Sequence, residues 1–137
     1  MSDSIGLLIA QCCRAHRNRA DLGLSELGLH VGQEMFLFQL WREDGQTQSQ
    51  LAGCMCIEAP TLSKMVQRME SAGFIERKPD ADDARVSRVY LTERGRSLQQ
   101  PVLAMWRDME ERTLAGLNYT EQMLLRRLLL QIRTNIS

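Results

Sequence analysis

Pro60-Thr61-Leu62-Ser63-Lys64-Met65-Val66-Gln67-Arg68-Met69-Glu70 is the stretch on which the fold turns. Leu62, Met65, Val66 and Met69 recur at helical spacing and give one apolar face. Thr61, Lys64, Gln67, Arg68 and Ser71 fall on the other. No acidic residue occurs from Pro60 to Arg68, so this outer face carries the charges of Lys64 and Arg68 undiluted. Pro60 sits where a first helical position tolerates a missing N–H, and Gly73 closes the helix.

Upstream, Thr47-Gln48-Ser49-Gln50 reads as a capping box. It opens a short helix carrying Leu51 and Ala52, and Cys54 to Glu58 form the turn that follows. Before it, a helix over Gln33 to Glu43 places Phe36, Leu37, Leu40 and Trp41 on one face and stops at Asp44-Gly45. The first helix starts near Ile5, with Leu8, Ile9, Cys12, Ala15, His16 and Arg19 in period, and is interrupted by Leu22-Gly23-Leu24 and Leu27-Gly28-Leu29.

Downstream the period changes to two. Phe74 to Lys78 and Val86 to Leu91 are strand-like runs joined by the charged tip Pro79 to Arg85. Thr92 caps a long helix over roughly Glu93 to Leu117, with a kink or early break at Pro101. Asn118-Tyr119-Thr120-Glu121 is a second capping box. The last helix, near Tyr119 to Arg133, carries the stripe Leu124, Leu125, Leu128, Leu129 and Ile132. That stripe is too wide for a lone terminal helix to leave in water, which predicts a dimer.

Short helix, tight turn, second helix, hairpin is the order of a winged helix-turn-helix. The expected fold class is mainly α with a small β-hairpin. Lys64 and Arg68 suit phosphates or guanine edges, and Gln67 suits adenine in a major groove. Arg85 at the hairpin tip has two readings: entry into a minor groove, or a solvated arginine salt-bridged to Asp82 or Asp83.

Composition bounds the alternatives. The 137 residues include 17 Lys+Arg and 17 Asp+Glu, for a net charge of +0, which excludes a histone-type cationic coat and a polybasic membrane anchor. The length leaves no room for a separate sensor domain, so any ligand is expected within the DNA-binding dimer itself. The Met1-Ser2-Asp3-Ser4 start is acidic and the run Ile5 to Ala10 is short, so neither a secretion signal nor a membrane span is read and the cytoplasm is expected. No G-x-S-x-G, Walker loop or dinucleotide fingerprint occurs, so an enzyme is not expected. With only His16 and His30 and no C-x-x-C spacing, neither a metal nor a cofactor is expected.

Five stretches in register carry a resemblance. Thr47 to Ala52, Pro60 to Glu70, Gly73 to Arg77, Asp80 to Arg85 and Leu91 to Gly95 resemble consecutive signatures of the MarR (multiple antibiotic resistance regulator) family. The resemblance implies a single domain over 1–137, with dimerisation helices at about 1–30 and 100–137 and the winged helix-turn-helix at about 31–99. It also implies a homodimeric regulator that binds a pseudo-palindromic operator in double-stranded DNA. Such a regulator usually represses and is released by a small phenolic or lipophilic ligand, or by oxidation.

By position, the recognition helix begins near Pro60, with Thr61, Lys64, Gln67 and Arg68 facing the groove and Ser63 a phosphate candidate. Arg85 is then the wing arginine, braced by Asp82 or Asp83, and Thr47 and Ser49 are further phosphate candidates. Two departures stand out. Ala84 replaces the first of two adjacent wing arginines, and Cys56 stands in the turn where the family commonly has Gly.

Two further readings stay open. Met35, Phe36, Phe38 and Trp41, with His16, are candidates for an apolar ligand pocket or are plain core. Cys12 is expected on an apolar face as a small core residue, and Cys13 is better placed for exposure. A redox role for Cys12, Cys13, Cys54 or Cys56, and a winged helix used for a protein partner, are the competing functions.

Overall fold

The computed structural model describes residues 4–137, so the Met1–Asp3 start lies outside the described residues. Helices α1 (Ile5–Ser25) and α2 (Gln33–Arg42) come first, followed by strand β1 (Gln46–Thr47). Helices α3 (Gln48–Met55) and α4 (Ala59–Ser71) follow, then strands β2 (Ile75–Pro79) and β3 (Ser87–Leu91). Helices α5 (Glu93–Ser97), α6 (Gln99–Thr113) and α7 (Tyr119–Ile136) complete the chain. The sheet is antiparallel in the order β1-β3-β2. This is the mainly helical winged helix-turn-helix that the pattern predicts.

The core sits under the helix-turn-helix. Phe36, Leu37 and Leu40 of α2, Leu51 of α3, and Leu62, Val66 and Met69 of α4 are buried. They pack with Phe74, Ile75, Val89 and Leu91 from the sheet and Val102 of α6. Burying each large side chain contributes about 1.5–3 kcal/mol. The Gln46 amide N–H groups donate to the Gln39 and Glu43 carbonyls, each at 2.8 Å, closing the end of α2.

The capping boxes form as expected. The Gln50 N–H donates to Thr47 Oγ1 at 3.1 Å, and the Thr47 N–H donates to Gln50 Oε1 at 2.9 Å. Asn118 and Glu121 exchange the same pair of bonds at 2.9 and 3.0 Å. In the turn, Cys56 has φ 55 and ψ 44, so it occupies the left-handed region that favours glycine. Held there, Cys costs on the order of 1 kcal/mol relative to Gly.

Three local expectations are corrected. The first helix is not interrupted at Leu22-Gly23-Leu24 but continues to Ser25. A Cβ on Gly23 would lie 2.7 Å from Met105 Cγ, so glycine is there for contact with α6, not to end α1. The α4 helix begins at Ala59, placing Pro60 second rather than first. The helix after Thr92 breaks at Leu98, as Pro101 leads one to expect, since it has no N–H for the Ser97 carbonyl, but α6 ends at Thr113 rather than Leu117. β1 was not foreseen, since two residues are too few to show a period.

The α5 start is locked to the sheet. The Thr92 hydroxyl donates to the Gly73 carbonyl at 2.6 Å and accepts from the Gly95 N–H at 3.1 Å. A Cβ on Gly95 would lie 2.1 Å from the Phe74 carbonyl oxygen. Gly95→Ala is therefore expected to destabilise by about 1–3 kcal/mol or more in denaturant unfolding, because backbone must move. An unchanged midpoint would show that the contact relaxes freely.

Glu34 gives a pH test. It is 3% exposed, and burial raises its pKa although the Gly32 N–H donates to its carboxylate at 3.0 Å. A raised folded pKa contributes stability below the ordinary glutamate range that is lost as pH rises through the raised value. Glu34→Gln keeps the acceptor without the charge. Denaturant unfolding across that range should show a flatter pH dependence in the variant than in the wild type.

Candidate nucleic-acid interface

Helix α4 presents its polar face outward because its apolar face is fixed by Leu62, Val66 and Met69. Thr61, Ser63, Lys64, Gln67 and Arg68 are all exposed. Lys64 and Arg68 form no ion pair among the described residues, so both cations are free for another partner. The end of the same helix is tied down, with Glu70 accepting from Arg77 Nη2 of β2 at 2.9 Å. The Arg77 hydrogen bond holds the Glu70 carboxyl below its ordinary pKa. Pro60 is exposed in the first turn of α4, whose N-cap Glu58 makes no side-chain capping bond. Glu58 is an acidic residue at the edge of this face that the sequence reading did not weigh.

Thr47 and Ser49 stand at the start of α3. The Thr47 hydroxyl is engaged in the capping box, whereas Ser49 is exposed. In the hairpin, Arg85 is 91% exposed, and its Nε and backbone N–H both donate to Asp83 Oδ1 at 3.1 Å. Asp83, not Asp82, is therefore the residue that holds Arg85. Asp82 instead gives its N–H to Asp80 Oδ2 at 3.1 Å. Asp80 and Arg88, which the sequence reading left without a role, form a further ion pair in the wing. Arg88 sits opposite Lys78 across the strands, an unfavourable pairing unless the charges diverge. They do: Lys78 lies over the Tyr90 ring at 5.2 Å and 3.3 Å from Glu76, while Arg88 turns to Asp80.

The pocket candidates are dispersed. Phe36 is core, Met35 is exposed, and Phe38 and Trp41 meet edge to face at 5.2 Å. The Trp41 indole N–H donates to the Gly95 carbonyl at 3.0 Å, a structural bond. His16 lies elsewhere, with its ring 5.8 Å from that of Trp106. It lines a groove of about 560 Å³ with Leu103, Trp106, Met109, Leu125 and Leu129, between α1, α6 and α7. The five candidates thus do not surround one cavity among the described residues, because α2 turns its aromatics into the winged core. The Trp106 indole N–H is buried without a partner among the described residues, and sequence offers no signal for that.

The cysteine expectation is half corrected. Cys12 is exposed rather than core, as are Cys13, Cys54 and Cys56, and all four are free thiols. Among the described residues no His, Cys, Asp and Glu cluster could hold a metal ion, and no helix is long and apolar enough to cross a membrane.

Comparison with known proteins adds to this geometry. A sequence model of the MarR family matches residues 29–87, from Leu29 at the base of the core to Ser87 at the start of β3. The uncharacterised HTH-type transcriptional regulator YybA of Bacillus subtilis is 24% identical over 128 residues, 93% of this chain and 85% of its own length. A solved Pseudomonas aeruginosa protein described as a probable transcriptional regulator is 30% identical, with a TM-score of 0.80 over 96% of this chain and 98% of that one. A MarR variant from E. coli complexed with operator DNA has a TM-score of 0.81 over 93% of this chain and 92% of that one. At 23% identity, it speaks for the fold alone. Likeness across nearly the whole chain, with a family match over the winged helix itself, leads to one conclusion: this is a transcriptional regulator belonging to the MarR family.

Proposed function

We propose that the chain is a homodimeric repressor that binds double-stranded DNA at a pseudo-palindromic operator and releases it when a small phenolic or lipophilic ligand binds. The observation that carries DNA binding is the exposed face of α4, with Lys64 and Arg68 unpaired beside Thr61 and Gln67. A docked second helix lays such a face in the major groove, and Arg85 on the wing suits the adjacent minor groove. Thr47, Ser49 and Ser63 are assigned to phosphates. Residues at about 31–99 form the reader, and the helices at about 1–30 and 100–137 join the copies.

The dimer is supported by α7. It has no buried residue, and Met123, Leu124, Leu128, Leu129 and Leu130 are between 42% and 51% exposed. Ile5 and Leu8 of α1 are 71% and 49% exposed. A second copy of the chain is the partner that removes this surface from water and pairs two readers on one operator. Ligand response is supported by the groove beside Trp106, whose buried indole N–H lacks an acceptor.

Duplexes selected by the purified protein supply the test. Lys64→Ala and Arg68→Ala should each weaken binding by about 1–3 kcal/mol where they read bases. Affinity should fall steeply with salt, and by about one unit less of slope for each phosphate contact removed. Wild-type affinity in both variants would remove α4 as the reader. For the dimer, Leu124→Asp combined with Leu128→Asp should give monomers in sedimentation and lose operator binding; a dimer that persists would place the interface elsewhere.

A further inference from the structure

We propose that Asp80 and Arg88 are positioning residues for operator binding, holding the wing arginine Arg85 at a fixed offset from the reading helix. This rests on the DNA-binding reading above. Asp80 Oδ2 accepts the N–H groups of Asp82 and Asp83, both at 3.1 Å, which folds the tip of the hairpin. Its backbone N–H donates to the Val86 carbonyl at 2.8 Å, and the Val86 N–H donates to the Asp83 carbonyl at 2.9 Å. Its other carboxylate oxygen accepts a hydrogen bond from the Arg88 Nε–H. The same guanidinium donates from Nη1 to the Gly45 carbonyl at 2.8 Å.

Gly45 lies in the turn between α2 and β1, two residues before Thr47, which caps α3. One guanidinium thus ties the wing tip to the entry of the helix-turn-helix. A second bond, from the Leu91 N–H to Asp44 Oδ1 at 2.9 Å, fastens the same turn to β3. The Asp80 side chain is only 15% exposed and that of Arg88 36%, so the tie is half-shielded from water. Arg85 follows the tip that Asp80 folds, and among the described residues its side chain is paired with Asp83 alone. The Arg88 hydrogen bond holds the Asp80 carboxyl below its ordinary pKa, so the tie is ionised at neutral pH.

The test measures affinity of the full-length chain for a selected operator duplex at fixed salt, with Asp80→Asn and, independently, Arg88→Gln. Each should weaken binding about tenfold in the wild-type background and less than about twofold once Arg85 is already alanine, because coupled residues are not additive. Hydroxyl-radical footprints should lose protection in the outer minor grooves and keep it at the centre. An equal loss in the Arg85→Ala background, or a footprint weakened uniformly, would make the pair a general stabiliser and overturn the assignment. Unchanged affinity in both variants would do the same while leaving DNA binding intact. A wild-type chain that selects no duplex would overturn the DNA-binding reading and this assignment with it.

Discussion

The backbone passes close to itself where α5 leaves the sheet, and the reading head is organised around that crossing. With no side chain on Gly95, the α5 backbone lies against the Phe74 carbonyl, where a Cβ would stand 2.1 Å from oxygen. The same carbonyl accepts the Thr92 N–H at 3.1 Å, and the Gly95 carbonyl accepts from Trp41 at 3.0 Å. The start of β2, the end of β3, α2 and α5 therefore meet at one point. Arg94 reinforces it, stacking on Phe74 at 4.7 Å and donating to the Ala72 carbonyl at the end of α4 at 2.8 Å. The orientation of α4 follows from this junction at one end and from the capped, left-handed turn at the other.

The balance of +0 between acids and bases hides a division of labour. In the wing, Asp80 and Asp83 are matched by Arg88 and Arg85. Glu70 and Arg77 cancel at the base of the hairpin. Among the cations that these pairs leave over are Lys64 and Arg68 on the face of α4. At the other end of the chain the surplus is apolar rather than charged, in the leucines of α7. One surface thus suits a polyanion and the other a hydrophobic neighbour, and neither property is visible in a total.

Most of the fold was legible because its signals are local. Thr47 and Asn118 announce their helices through side chains that reach three residues ahead, and α4 announces its buried face through period alone. What escaped depends on distance. Gly23 looked like a helix breaker, since only the arrival of Met105 explains it. Phe36, Phe38 and Trp41 looked like a pocket wall, since composition does not say which way α2 faces. Arg88 gave no sign because its partners, Asp80 and the Gly45 carbonyl, are set by strand register and by a strand of two residues. Cys12 sits on a stripe that reads as core, yet among the described residues it is exposed.

The break at Leu98 has a geometric consequence. Leu98 ends α5 and begins α6, and Val102, one turn on, packs into the core, so the reading head and the first turn of the long helix form one joint. With 15 residues, α6 is an arm of about 22 Å. A change of about 10° at that joint carries its far end about 4 Å, more than the rise of about 3.4 Å along the duplex axis from one charge of a strand to the next. In the dimer proposed above, with two heads held at the far ends of such arms, this angle sets which base pairs lie beneath them.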